Sequence, residues 1–197
     1  MIYTLPAYRW LLCMMCVMSI IVGSVLPSKA QETALSASSH LPILCKVLSF
    51  DRNLKQQSQG VVTIGVAYQS KFRISLNTVN DIQRYFNENI TKISGLSVVV
   101  RLIDLSEENL TNVLNSENIT VLYVAPLRAY NVANLHVVCS SKKIRTITGV
   151  PEYVESGISV GVGSKGNQPE IIINRPSSIS EGADFSAQLL KLTRIIE

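Results

Sequence analysis

Residues 61–105 read VVTIGVAYQSKFRISLNTVNDIQRYFNENITKISGLSVVVRLIDL, and their pattern decides the fold. "VVTIGVAYQ" (61–69) is a nearly unbroken apolar run rich in β-branched residues, as expected of a strand buried on both faces. In "NTVNDIQRYFNENI" (77–90), Val79, Ile82, Phe86 and Ile90 recur three and four residues apart, the stripe of an amphipathic helix. "LSVVVRLIDL" (96–105) returns to the β-branched run. Strand, helix, strand is the unit from which parallel sheets are wound.

The alternation continues downstream. "SEENLTNVLNSE" (106–117) predicts a helix, with Ser106 as its cap and Glu107 and Glu108 in a first turn where the helix dipole favours acids. "ITVLYVAPL" (119–127) is a strand, "YNVANLHVVCSSK" (130–142) a helix and "IRTITGV" (144–150) a strand. "GISVGVGSKGNQPEIIINR" (157–175) then predicts two strands joined by a turn around Ser164–Asn167. A last helix has Phe185, Leu189, Leu192 and Ile196 on one stripe, widened by Ala183, Ala187 and Leu190. The expected fold class is α/β: one domain, a three-layer α/β/α sandwich, its sheet mostly parallel with a C-terminal antiparallel hairpin and a closing helix.

Upstream, Ile43, Val47, Phe50 and Leu54 stand at i, i+4, i+7 and i+11 and predict an opening helix. Asp51, Arg52 and Lys55 lie off that stripe, with Asp51 and Lys55 spaced as a surface ion pair, so a solvated or partner-facing role suits them. Residues 31–40, QETALSASSH, are small and polar and read as a flexible lead-in. The first thirty residues carry Arg9, the apolar run LLCMMCVMSIIVGSVL and the small residues Ser28 and Ala30, as a secretory signal peptide cleaved after Ala30 would. Sixteen apolar residues are short for an uncleaved anchor. Cys13 and Cys16 come too early in the run for a lipoprotein. The expected organisation is signal peptide 1–30, lead-in 31–40 and domain 41–197, with a periplasmic location and no membrane insertion after signal removal.

Cleavage would remove Arg9 and Lys29 and no acid, so the net charge falls from +4 to +4 − 2 = +2. Near-neutral, well-mixed charge gives no basic stripe for nucleic acid. It would also leave two cysteines, Cys45 and Cys139. In an oxidising compartment two cysteines of one domain tend to pair. A bridge here would close a loop of 139 − 45 = 94 residues, stabilising by about 4–5 kcal/mol in the chain-entropy account. The alternative is two buried free thiols.

Chemical motifs are sparse. "GVGSKG" (161–166) fits G-x-G-x-x-G, but NQPEIIIN follows where a dinucleotide loop needs a helix, so a hairpin turn requiring positive φ explains the glycines better. His136 and Cys139 would share a helix face, which raises a Cys–His nucleophile, or a metal site with Cys45. No neighbouring group would orient the imidazole. With His40 in the lead-in, two Cys and one His also fall short of a four-ligand zinc site. Glu107 and Glu108 are adjacent and cannot flank one substrate bond. Asn89, Asn109 and Asn118 begin N-x-T sequons, which matter only in a glycosylating host. The chain lacks a G-x-S-x-G elbow, a P-loop and H-E-x-x-H. No catalytic residue, cofactor or metal is assigned.

"VLSFDRNL" before "VVTIGVAYQ", then "VLYVAPL", "TITGVPEYVESGISVGV" and "EIIINRPSSISEGADFSAQLLKLTRII" resemble the YfiR-like family of small bacterial periplasmic proteins, from about Ile43 to the end. The most specific part is the last sixty residues, where a hairpin ends in Ile173–Asn174 and a helix carries Ser186 and "LLKL". The opening helix is similar to a "FDRNL" branch of the family rather than to its best-known member, and the chain between Leu127 and Ile144 is short for the family's helix there. The resemblance implies a periplasmic α/β domain without catalysis. Its best-known member represses an inner-membrane diguanylate cyclase, lowering cyclic-di-GMP output and biofilm formation, and dimerises.

Three functions follow as expectations. The first is a non-catalytic regulator that binds an inner-membrane sensor or signalling protein, with the opening helix around Phe50–Arg52 and the last around Gly182–Ser186 as surfaces. Asp51, Arg52, Gly182 and Asp184 are the residues singled out there; ordinary core helix packing is the alternative for both surfaces, and for Phe50 it is the better reading. The second is a small-molecule-binding module serving a transporter or sensor kinase. Its site would lie at the carboxyl ends of the strands, Tyr68–Ser70, Asp104–Ser106, Ala125–Arg128 and Thr148–Val150, with Tyr123 and Arg128 as polar contacts. The third, an exported Cys–His hydrolase, needs Cys139 free.

Overall fold

The computed structural model describes residues 36–197 apart from Ile90, Thr91 and Asn167. The expected signal peptide, its cleavage after Ala30 and the first part of the lead-in lie outside the described residues, as does Ile90 of the predicted stripe. Helices α1 (Ala37–Leu48) and α2 (Leu54–Gln57) precede the first strand. The wound body follows as β1 (Val61–Tyr68), α3 (Arg73–Glu88), β2 (Lys92–Ile93), β3 (Leu96–Asp104), α4 (Leu110–Ser116), β4 (Val121–Val124), α5 (Val132–Lys142) and β5 (Arg145–Thr148). The chain closes through α6 (Glu152–Glu155), β6 (Val160–Lys165), β7 (Gln168–Asn174), α7 (Arg175–Ser180), α8 (Ala187–Leu190) and β8 (Arg194–Ile196).

All eight strands form one sheet in the order β2-β3-β1-β4-β5-β6-β7-β8. Strands β3, β1, β4, β5 and β6 run parallel, β2 pairs antiparallel to β3, and β6–β7 is the expected antiparallel hairpin. The parallel order reverses between β1 and β4, the switch point of a doubly wound sheet. Alternate residues divide between two cores. Val62, Ile64, Val66, Val121 and Tyr123 face α1 and α3, whereas Ala67, Leu122 and Val124 face α4 and α5. The α/β class and the three layers therefore stand as expected.

Several elements differ from expectation. The opening helix begins at Ala37, so residues 37–40 of the expected lead-in are helical and His40 is buried. Its buried stripe is Leu41, Leu44, Val47 and Leu48, with Ile43 and Phe50 only partly covered. It also stops at Leu48, where Ser49 Oγ bonds back to the Lys46 carbonyl at 2.6 Å. Helix α4 starts at Leu110 with Asn109 as its cap, because Glu108 turns aside to pair with Arg101 at 2.8 Å. The closing helix is one short helix, α8, after which the chain straightens into β8 and pairs parallel to β7. Of the "GVGSKG" glycines, only Gly166 has positive φ. Gly161 and Gly163 lie within β6 and admit close neighbours: a Cβ would stand 2.4 Å from Val154 and 2.9 Å from Pro151, respectively.

Strands β1 and β3 are similar apolar runs in different places. β1 is central, whereas β3 has only the two-residue β2 on its outer side among the described residues. Val99 is accordingly 51% exposed, and Val98 and Val100 floor a shallow recess with Gln83, Phe86 and Asn87 of α3.

Candidate functional site

Strand β5 opens on a charge: Arg145 is 1% exposed. A buried guanidinium is tolerated only when paired and hydrogen-bonded throughout. Its Nε donates to Asp51 Oδ2 at 2.8 Å, in an ion pair whose side chains are 1% and 0% exposed. Its Nη1 donates to Gln57 Oε1 and to the Lys143 carbonyl, and its Nη2 to the Gly182 carbonyl at 3.1 Å. Asp51 Oδ1 in turn accepts the amides of Asn53 and Asp184, each at 2.9 Å.

These bonds draw the turn after α1 against the turn after α7. The Arg52 amide donates to the Asp184 carbonyl at 3.0 Å, and Asn53 Nδ2 donates to the Gly182 carbonyl at 3.0 Å. Asp51 bridges antiparallel to Phe185. The four residues singled out from sequence, Asp51, Arg52, Gly182 and Asp184, therefore meet in one seam. They divide into two kinds. Arg52 and Asp184 form an exposed ion pair at 3.5 Å, 65% and 49% exposed. Asp51 is buried, which corrects the expected surface pair with Lys55: the helix ends three residues earlier, so its carboxylate swings inward onto Arg145.

Gly182 is structural. Its φ of +81° ends α7, with the Gly182 amide on the Ile179 carbonyl and the Ala183 amide on the Ser178 carbonyl, a Schellman closure that favours glycine. That turn aims the Gly182 carbonyl at Arg145.

One residue earlier, the buried Glu181 accepts the Thr146 amide and hydroxyl, both at 2.7 Å, and the Ser159 hydroxyl. His136 of α5 approaches with Nδ1 3.4 Å from Glu181 Oε1. That contact raises the His136 pKa above its ordinary value, against the opposing pull of burial. Sequence reasoning missed Arg145, Glu181 and Gln57. The legible signal was a charge at the mouth of "RTITGV", a strand otherwise apolar or small.

At the carboxyl ends of β1, β3 and β4 the chain bonds to itself. At the switch point the Gln69 side chain clasps Arg128: Oε1 accepts its amide at 2.8 Å and Nε2 donates to its carbonyl at 3.2 Å. Asp104 Oδ1 takes the amides of Ser70 and Ser106, and the Tyr153 hydroxyl bonds both amide and carbonyl of Leu127. Tyr123 is not available to a ligand there. It is buried, its hydroxyl 2.8 Å from His40 Nε2 and bonded to the Gly149 backbone.

Among the described residues, Cys45 and Cys139 are free thiols. Cys45 packs with α1 on one face of the sheet and Cys139 with α5 on the other. The sheet stands between them, while a bridge needs Cα atoms within about 7 Å. Burial pushes the Cys45 thiol up to about 12, and burial and then Glu181 raise that of Cys139. Cys139 is buried and Cys45 half-buried, and protonated thiols are poor nucleophiles. His136 contacts Glu181, so the imidazole is engaged by a carboxylate rather than by the Cys139 thiol. Among the described residues, no cluster of His, Cys, Asp or Glu could hold a metal, and no helix is long and apolar enough to cross a membrane.

A family model described as YfiR/HmsC-like matches residues 45–194. No curated protein matches the chain. The fold is similar to a ligand-free, open substrate binding protein with adhesive properties from Clostridium difficile, with TM-score 0.55 and 19% identity, over 83% of this chain and 60% of that one. It is similar to an ABC domain in complex with L-Trp from Streptococcus pneumonia, with TM-score 0.53 and 17% identity, over 76% and 62%. A conserved domain protein from Vibrio cholerae gives TM-score 0.54 and 12% identity, over 82% and 60%. At these identities the likeness is one of fold, and the chain spans 60–62% of the length of those structures.

Proposed function

Since the chain belongs to the YfiR/HmsC-like family, we propose that it is a non-catalytic periplasmic regulator that binds an inner-membrane sensor and biases it toward one signalling state. Family membership supports a periplasmic regulatory role in general. The sensor proposed is a diguanylate cyclase, so that the output is cyclic-di-GMP and biofilm formation. A regulator of this kind acts by preferring one conformation of its partner, and it needs a rigid surface rather than a reactive group.

The observation that carries this reading is the seam. Two turns far apart in sequence are held by Arg145 and Asp51 so that Arg52 and Asp184 stand side by side at the surface. Rim charges of this sort set specificity and encounter rate more than raw affinity. The test is capture of membrane proteins on the tagged chain, with cyclic-di-GMP measured in a deletion strain. We expect a membrane sensor to be recovered, and recovered less by Arg52→Glu and Asp184→Lys. Recovery of no sensor, with cyclic-di-GMP unchanged on deletion, would sink the proposal.

A small-molecule-binding module remains the second reading, favoured by the fold shared with a substrate binding protein and with an ABC domain in complex with L-Trp. It requires the Gln69–Arg128 clasp to open. A thermal-shift screen in which Gln69→Ala gains a ligand response would support it over the first.

A further inference from the structure

The seam is fastened by two buried carboxylates of different kinds. Asp51 faces a permanent cation, Arg145, and that pair is neutral. Glu181 faces the neutral amide and hydroxyl of Thr146 and the neutral hydroxyl of Ser159. Its remaining partner, His136, can gain a charge within the physiological range. The His136 side chain is 26% exposed, so protons reach it, while Glu181 is sealed. With neutral His136 the buried cluster of Arg145, Asp51 and Glu181 sums to +1 − 1 − 1 = −1. With His136 protonated it sums to zero.

We propose that His136 and Glu181 form a proton-operated latch, which fastens the segment Glu181–Asp184, and with it the Arg52–Asp184 surface, when His136 is protonated and loosens it when His136 is neutral. The segment is short and bound at both ends of its turn. Gly182 and Asp184 hang on Arg145 and Asp51, and Glu181 on β5, β6 and α5. Weakening the His136 contact therefore loosens one anchor of the turn while the bonds of Glu181 to Thr146 and Ser159 remain. The groups facing His136 are few. Glu181 comes from the end of α7, Cys139 lies on its own helix, and Lys143 caps that helix. Lys143 Nζ is bound to the Ser180 carbonyl at 2.9 Å. The turn before β6 brings Gly157 against the His136 Cβ and adds no charge. Arg145 and Asp51 lie beyond Glu181 and cancel.

The direction in pH follows from the contact. Hydrogen bonding to Glu181 raises the His136 pKa in the fold, with charge attraction to the same carboxylate adding and burial opposing. The stabilisation is then fully present below the unfolded value of 6.5 and is lost as the pH rises through the higher folded value. Acidification tightens the seam.

The readout is amide hydrogen exchange over residues 181–186 in the isolated full chain, corrected for intrinsic rates, at about pH 5.5 and about pH 8, either side of the His range. We expect protection to be about two- to fivefold greater at the lower pH, the size of a partly exposed ion pair, and this difference to vanish in His136→Gln. Protection that ignores pH in the parent chain, or that follows pH equally in the variant, overturns the latch. Should His136→Gln fail to fold, NMR titration of His136 in the parent chain decides: a midpoint at or below that of an unfolded histidine overturns it, and one above supports it. The regulatory consequence rests on the seam being the partner surface, but this measurement uses no partner. Failed sensor capture with the pH difference intact would remove the partner reading and leave the latch, and the reverse pair of results would remove the latch alone.

Discussion

At the scale of single residues, Arg145 ties Asp51 and Gln57 to the carbonyls of Lys143 and Gly182. Asp51→Ala leaves its guanidinium buried and unpaired, so we expect a loss of about 3–5 kcal/mol, measured by urea unfolding. Replacing both partners, Arg145→Met with Asp51→Leu, should cost less than Asp51→Ala alone. An equal or greater loss from the pair would show that Arg145 matters for its bonds to Gly182 and Lys143 rather than for its charge. Gly149 sets a second test. A Cβ there would stand 2.7 Å from the buried His40 ring, so Gly149→Ala should be destabilising, and His40→Ala should relieve much of that loss in the double variant. Neither pairing was legible in sequence. Periodicity reports which face of an element is apolar, and a charge that ends up buried breaks the pattern without naming its partner. Asp51 lies off the apolar stripe of the predicted helix, but the helix ends at Leu48 and Asp51 is buried in the turn that follows.

At the scale of elements, the strand–helix alternation was readable because each β-branched run is short and each amphipathic stripe is regular. Positions within the sheet were not. "VVTIGVAY" and "LSVVVRLID" are both rich in β-branched residues, yet one is central and the other lies near the edge, because strand order is set chiefly by crossovers. The same blindness governed the cysteines: spacing cannot show that α1 and α5 cover opposite faces. Mass spectrometry without reductant should find Cys45 and Cys139 as thiols, and alkylation of the folded chain should be slow and accelerate on unfolding. A 45–139 bridge would contradict the layer assignment itself. The loop-capping role of Asp104 has an acid signature. Burial works to raise its pKa, but the donors of Ser70 and Ser106 outweigh burial and lower it below 3.8. Its contribution is therefore present above that value and lost as the pH falls through the lower folded value. Asp104→Asn should flatten the acid limb of a thermal-midpoint profile, and an unchanged limb would assign the acid loss elsewhere.

At the scale of the whole molecule, the seam joins residues about as far apart as the domain allows, with the Asp184 amide and the Asp51 carboxylate separated by 133 positions. Contacts of such sequence separation come late, because the loop they close must be ordered before they are rewarded. A chain emerging from its N-terminus presents Asp51 first and Arg145 ninety-four residues later, and both wait for Gly182 and Asp184. The seam should then be nearly absent from the folding transition state. Asn53→Ala, which deletes the bond to the Gly182 carbonyl, should leave the refolding rate unchanged and speed unfolding about fivefold, the kinetic equivalent of about 1 kcal/mol. Stopped-flow chevrons would show this as a shift of one arm. The surface that Arg52 and Asp184 share would on this account be the last part of the protein to exist when it folds and the first to go when it unfolds, so a partner that grips it also acts as a brake on unfolding.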